Sequence, residues 1–214
     1  MSTNLKIIAA LVAGFGLVIA VFLAFGRSGS EPSADGGALP VVREDSHRLG
    51  EPGEGGVTLV EFLDFECEAC AAAYPFVEQL REDHAGQVTF VARYMPLPGH
   101  PNAENAAVAV EAAAQQGAFE AMYQRMYETQ PQWSHQQESQ AAVFRGFAEG
   151  LGLDMATYDA AVADPATLER VLSDRDDGLA LGVQGTPTFF LDGELVEVET
   201  AEEFVELIEA ALDG

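Results

Sequence analysis

Two cysteines constrain this chain more than any other feature. Cys67-Glu68-Ala69-Cys70 holds the only cysteines in 214 residues, and it lies between a strand-like and a helix-like run. Thr58 to Asp64 is mostly apolar, with β-branched Thr58 and Val60 and aromatic Phe62, and reads as a buried strand. Ala71 to His84 carries Phe76, Val77 and Leu80 on one side of a helix, with Pro75 set to kink it and Gly86 suited to its C-terminal end. A helix N-terminus directs unpaired backbone N–H groups at Cys67 and favours its thiolate. The two-residue gap lets Cys70 reach back and close a disulfide within one turn. A zinc half-site shares this spacing but needs two further ligands. His47, His84, His100 and His135 show no ligand spacing, so no metal is expected. A purely structural disulfide around so short a loop would add little stability.

The second constraint is at the N-terminus. Ile7 to Gly26 is a run of 20 residues without a charge, about 30 Å as a helix and enough to span a bilayer. A cleaved signal usually has a shorter apolar region, although Ala24 and Gly26 could serve a cleavage site. The expected organisation is a cytoplasmic N-terminus over 1–6, a transmembrane anchor in the lipid bilayer over 7–26, a flexible linker over 27–40 and a folded domain over 41–214. Lys6 and Arg27 flank the span almost evenly. The orientation therefore rests on everything after the span being exported. The expected location is the cell membrane, single-pass, with the C-terminal domain extracytoplasmic.

The net charge of −25, with one lysine and nine arginines, disfavours nucleic acid and anionic lipid headgroups as partners. A matched cysteine pair without stray thiols suits an oxidising compartment.

Along the folded part, Val41-Val42 and His47-Arg48-Leu49 suggest a first short strand, and Val88 to Tyr94 a second central one. From Asn102 to Thr129 the chain is Ala-rich at helical spacing, divided at Gly117. A loop is expected around Pro131 and Trp133, then a helix from Ala141 to Glu149. Asp154 caps a helix through Val162, and Asp164-Pro165 opens another toward Leu181. Phe189-Phe190-Leu191, Asp192-Gly193 and Leu195-Val196 read as a hairpin. Thr200 to Glu203 is a capping box for a last helix ending at Leu212. The helical block over 102–181 is too long for a loop and must be an inserted subdomain.

Phe65-Glu66-Cys67-Glu68-Ala69-Cys70 after a strand, with Gly185-Thr186-Pro187-Thr188-Phe189-Phe190 before a hairpin, resembles the DsbA-like branch of the thioredoxin superfamily. The resemblance covers about Arg48 to Leu212. It implies an α/β, thioredoxin-like fold with an inserted helical subdomain. It implies that Cys67 attacks, that Cys70 resolves, and that Pro187 is a cis-proline facing them, with the Thr186 backbone pairing with substrate. Glu61, six residues before Cys67, matches a buried acid that assists proton transfer at the second thiol. The implied activity is thiol–disulfide exchange without a cofactor. The implied partners are exported proteins bearing thiols or disulfides and a membrane redox partner. A different class of function is a membrane-tethered chaperone or assembly-factor module with a non-catalytic thioredoxin-like fold. Strongly oxidising relatives often carry Pro-His between the cysteines, where this chain has Glu68-Ala69. The Glu68 charge is expected to oppose the Cys67 thiolate and to make the pair less oxidising than those relatives. Oxidation, reduction and isomerisation all stay open.

Overall fold

Strands β1 (His47–Arg48), β2 (Val57–Leu63) and β3 (Val88–Tyr94) begin the domain in the computed structural model, which describes residues 40–214. The expected transmembrane helix at 7–26 and linker residues 27–39 lie outside the described residues. Among the described residues no helix is long and apolar enough to cross a membrane.

β2 and β3 pair in parallel, from Val57 opposite Val88 to Leu63 opposite Tyr94. A parallel pair needs a long crossover, and helix α1 (Glu68–Asp83) supplies it. After β3 comes the insert: α2 (Ala103–Ala114), α3 (Phe119–Trp133), α4 (Ala141–Gly150), α5 (Met155–Ala163) and α6 (Pro165–Ala180). The chain then returns to the sheet through β4 (Thr188–Leu191) and β5 (Glu194–Leu195), and ends in α7 (Ala201–Asp213). The sheet order is β1-β3-β2-β4-β5, with β4 antiparallel to β2. The strand bearing the dithiol junction is therefore central.

Both faces of that strand are covered, which explains its near-continuous apolar character. Val57, Leu59 and Leu63 face a core shared with Leu80 of α1 and with Phe204 and Ile208 of α7. Val60 and Phe62 face a second cluster with Val91, Met95 and Phe190. Strand alternation puts Glu61 on the first face, beneath α1.

Local signals in the sequence account for most boundaries. Asp154 accepts the Thr157 N–H at 2.7 Å, and Asp164 accepts the Ala166 N–H at 2.9 Å, with Pro165 next to it. The Thr200 capping box is formed. Gly117 takes φ +76° between α2 and α3, a conformation that favours glycine. Asp192 and Gly193, at φ +49° and +88°, make the hairpin turn between β4 and β5.

Three expectations need correction. Val41-Val42 is a bend and not a strand. Helix α1 starts at Glu68, which brings Cys70 into its first turn. Pro131 and Trp133 are the last turn of α3 and not a loop. The missing proline N–H costs only one helical bond there. Trp133 is fully buried, edge-on to Phe144 at 4.8 Å, and its indole donates to the Met126 carbonyl at 3.3 Å.

Before β1, the chain is held by charge. Arg93 is fully buried on β3; it donates to Asp174 and Asp177 of α6, both at 2.7 Å, and to the Val41 carbonyl, also at 2.7 Å. Arg43 pairs with Asp177 at 3.2 Å, and Asp45 with Arg170 at 2.8 Å.

Candidate active site

β2 ends at Leu63, and Asp64 shapes the turn into α1. Its backbone carbonyl accepts the Cys67 N–H at 3.1 Å, while its Oδ1 accepts the Glu66 N–H at 2.8 Å. Cys67 is thereby the N-cap of α1. Its Sγ lies 3.4 Å from the Thr186 carbonyl oxygen, and the Thr186–Pro187 peptide is cis. Cys67, Cys70, Thr186 and Pro187, 116 or more positions apart between the two motifs, thus share one site.

The two sulfurs have opposite surroundings. Cys67 is 8% exposed and Cys70 1%. The Cys67 thiol is pulled down to about 5, chiefly by a hydrogen bond from the Cys70 thiol. Partial burial opposes this, while Thr186 and the N–H groups of Cys70 and Ala69 add to it. The Thr186 hydroxyl is otherwise buried without a partner. Cys70 is pushed far up by burial, and further by its bond to Cys67 and by the Glu61 charge.

Glu61 lies on the central strand and is buried. Burial drives its carboxyl up to about 8, with Glu78 and Cys67 adding. Its Oε2 has no hydrogen-bond partner, and neither do the buried hydroxyls of Tyr123 and Tyr127 from α3. The proton affinities of both tyrosines are raised, first by burial, and Glu61 contributes to each. A carboxyl that titrates near neutrality beneath a deeply buried thiol can give that sulfur a proton or take one from it.

Glu68 behaves differently from the sequence expectation. Its side chain is 78% exposed and pairs with His135 Nε2 at 3.1 Å. Water screens an exposed charge of this kind. The hydrogen bonds that lower Cys67 come from the Cys70 thiol, Thr186 and the backbone amides.

Several residues at the site carry no spacing signal in the sequence. Glu66, completely buried, accepts the Asn102 N–H at 2.6 Å and the His135 N–H at 2.8 Å. One carboxyl therefore joins two loops of the insert to the turn before Cys67. Gln130 of α3 donates to the carbonyls of Phe65 and Cys67, at 2.9 and 2.8 Å. His100 Nδ1 lies 2.6 Å from Asp64 Oδ2. Only an acid-rich turn, Asp64-Phe65-Glu66, hints at this in the sequence. Beside Pro187, a groove of about 510 Å³ is lined by Phe76, Phe189, Val196, Val198 and Phe204, among others. Among the described residues, no group of three or more His, Cys, Asp or Glu side chains could hold a metal ion.

A family model described as thioredoxin matches residues 43–210. The structure is similar to a thioredoxin-like oxidoreductase from Silicibacter pomeroyi, with TM-score 0.68 and 27% identity over 83% of this chain and 97% of that one. BdbD from Bacillus subtilis gives TM-score 0.68 at 21% identity, covering 79% and 94% of the two chains, and shares the fold. A sequence relative named Na(+)/H(+) antiporter NhaA 3, from Salinispora tropica, is 40% identical over 156 residues, 72% of this chain. The chain spans only 23% of that relative's length.

Proposed function

The chain belongs to the thioredoxin family, and we propose that it is a membrane-tethered thiol–disulfide oxidoreductase acting on exported proteins outside the cytoplasm. One observation carries the reading: a Cys67 thiol drawn down to about 5 at a helix N-cap, 3.4 Å from the Thr186 carbonyl. Its partner sulfur is buried above a carboxyl that titrates near neutrality.

Starting from the disulfide, a client thiolate attacks Cys67 Sγ. The Cys67–Cys70 bond breaks, a client–Cys67 bond forms, and Cys70 leaves with the electron pair. Cys70 holds protons tightly, so it takes one, and Glu61 is the group placed to give it. A second client thiolate then attacks the client sulfur of the mixed disulfide. Cys67 leaves as the stabilised thiolate, the client gains a disulfide, and the dithiol has gained two electrons. A membrane redox partner of opposite poise returns the pair to its starting state. With the potentials reversed, the same steps reduce a client. The half-buried Thr186–Pro187 segment beside the dithiol and the adjoining apolar groove support extended client segments as the substrate class. The uncharged run over 7–26 supports the membrane tether.

The Cys67 value brackets the potential. A thiol near 5 lies between those of thioredoxin, about 7, and DsbA, about 3.5. The expected reduction potential is therefore between about −270 and −120 mV. Glutathione equilibration measures it, and peptide-oxidation and insulin-reduction assays measure turnover. A potential inside this window with turnover in either assay supports the proposal. No turnover in both assays would leave a tethered binding module as the better account. Retention of the full chain by membranes after a carbonate wash tests the tether, and a soluble mature form beginning after Gly26 would refute it.

A further inference from the structure

The geometry points to His100 as the positioning residue whose cation, oriented by buried Asp64, stabilises the Cys67 thiolate and sets the potential of the pair. This deepens the oxidoreductase reading and rests on it. In this chain the histidine comes from the loop after β3 and not from between the cysteines.

The placement is built by two acids of the same turn. Asp64 is almost fully buried, and its Oδ2 accepts both the Leu97 N–H at 3.0 Å and the His100 ring N–H at 2.6 Å. The loop is pinned at Leu97 and at the ring, so the imidazole cannot swing freely. Two residues on, Glu66 fixes the backbone of Asn102, and Asn102 in turn bonds the Gln136 carbonyl at 2.8 Å and the Gln140 N–H at 2.8 Å. The chain on both sides of His100 is thus fastened to the residues that precede Cys67. A hydrogen bond from Nδ1–H to a carboxyl leaves Nε2 to carry the second proton, as in oriented histidines generally.

The charged surroundings are few. From the turn after β2 come Asp64 and Glu66. From α1 come Cys67 and exposed Glu68. From the loop after α3 comes His135, edge-on to His100 at 6.1 Å and paired with Glu68. Burial lowers the proton affinity of His100, but Asp64, Cys67 and Glu66 outweigh it, and the net direction is upward. Burial raises the Asp64 carboxyl despite the three hydrogen bonds it accepts, so the pair shares one proton in the window between the two raised values. By linkage, whatever the thiolate does to His100, the imidazolium does equally to the thiolate. The effect must be present below the raised His100 value and must fade as pH rises through it.

The test uses the folded protein with both cysteines intact. In His100→Gln, the proton affinity of the Cys67 thiolate, read by its ultraviolet absorbance, should rise by about tenfold. The equilibrium constant with glutathione should fall toward reduced oxidising power by up to the same factor, about 30 mV. The difference from the native protein should close as pH rises through the His100 titration. A second measurement needs no variant. The ring proton resonances of His100 in native protein should titrate at higher pH in the dithiol form than in the disulfide form, where the thiolate is gone. His135→Gln should change the thiolate by less than about twofold, because His135 pairs with a solvent-exposed acid. Equal His100 titration in both redox forms, or a folded His100→Gln protein with unchanged thiolate and potential, would overturn the inference. If the thiolate and potential shift as stated while the native protein turns over no client, the oxidoreductase reading fails and the electrostatic assignment stands.

Discussion

The two sulfurs stand three residues apart on one helical turn and belong to different regions of the molecule. Around Cys67 is a rim of donor groups: the Cys70 thiol and the backbone amides of Ala69 and Cys70, set beside a loop fixed by Asp64 and Glu66. Beneath Cys70 is a floor of unsatisfied ones: Glu61 Oε2 and the hydroxyls of Tyr123 and Tyr127, all buried without partners. The rim stabilises negative charge and the floor penalises it. Identical side chains thereby become a leaving thiolate and a proton-holding thiol. The asymmetry comes from depth and from hydrogen bonding, since both cysteines share the same helix end.

The largest expected effect breaks the asymmetry outright. Cys67→Ser should abolish exchange, while Cys70→Ser should accumulate mixed disulfides with client through Cys67, visible on non-reducing gels. Trapping that requires Cys70 instead would reverse the roles assigned to rim and floor.

Next is the floor. Glu61→Gln should slow formation of the mixed disulfide from the Cys67–Cys70 disulfide by roughly a hundredfold, the low end of general acid–base catalysis, in single-turnover kinetics. The same change should alter stability with a definite sign. The Glu61 carboxyl rises from 4.5 to about 8 on folding, so the unfolded chain releases this proton first. The native protein therefore loses stability as pH climbs from about 4.5 to about 8, by an amount on the order of a few kcal/mol. Glu61→Gln removes that loss, and its melting temperature relative to native should increase between pH 5 and pH 8. A constant difference across that range would show that Glu61 is not held neutral.

A smaller effect distinguishes the acid from its neighbours. Tyr127→Phe deletes a hydroxyl that has no partner, so stability should change by less than about 1 kcal/mol and exchange by no more than a few-fold. A loss as large as that of Glu61→Gln would make Tyr127 part of the proton path.

The smallest effect is expected at the rim. Glu68→Ala should move the Cys67 titration by less than about twofold, given an exposed carboxyl engaged with His135. The alkylation rate of the native protein should follow a single ionisation near 5. A tenfold change in Glu68→Ala would restore the repulsion expected from the sequence.

That last contrast shows what a sequence can and cannot carry. Residues that work through neighbours along the chain are legible. Cys67 at a strand-to-helix junction, Asp154 and Asp164 as caps, Thr200 with Glu203, and the Asp192-Gly193 turn all act within three or four positions. The two central strands, the helix division at Gly117 and the inserted block follow from periodicity and length. Residues that work across the fold leave no such trace. Glu66 meets Asn102 and His135, and Asp64 meets His100, over separations that only the docked insert closes. Pro131 and Trp133 look like a loop because proline is a local breaker, whereas the packing of Trp133 on Phe144 is a tertiary effect. Glu68 illustrates the converse. Its position beside Cys67 is plain in the sequence, but its direction, out toward His135, is set by a loop 67 residues away.

The charged clasp ahead of β1 has a mechanical consequence. A load entering at Pro40 would not first peel β1, whose two residues pair with β3. It would first meet the Arg93–Val41 bond and the Arg43 and Asp45 pairs, which pass it to α6 and the sheet interior. Because Arg93 is fully buried, that inner fastening is shielded from salt, while the outer pairs soften as ionic strength rises. Tension on the N-terminal end is therefore carried by the face of the sheet opposite α1, and the turn that holds Cys67 lies outside its path.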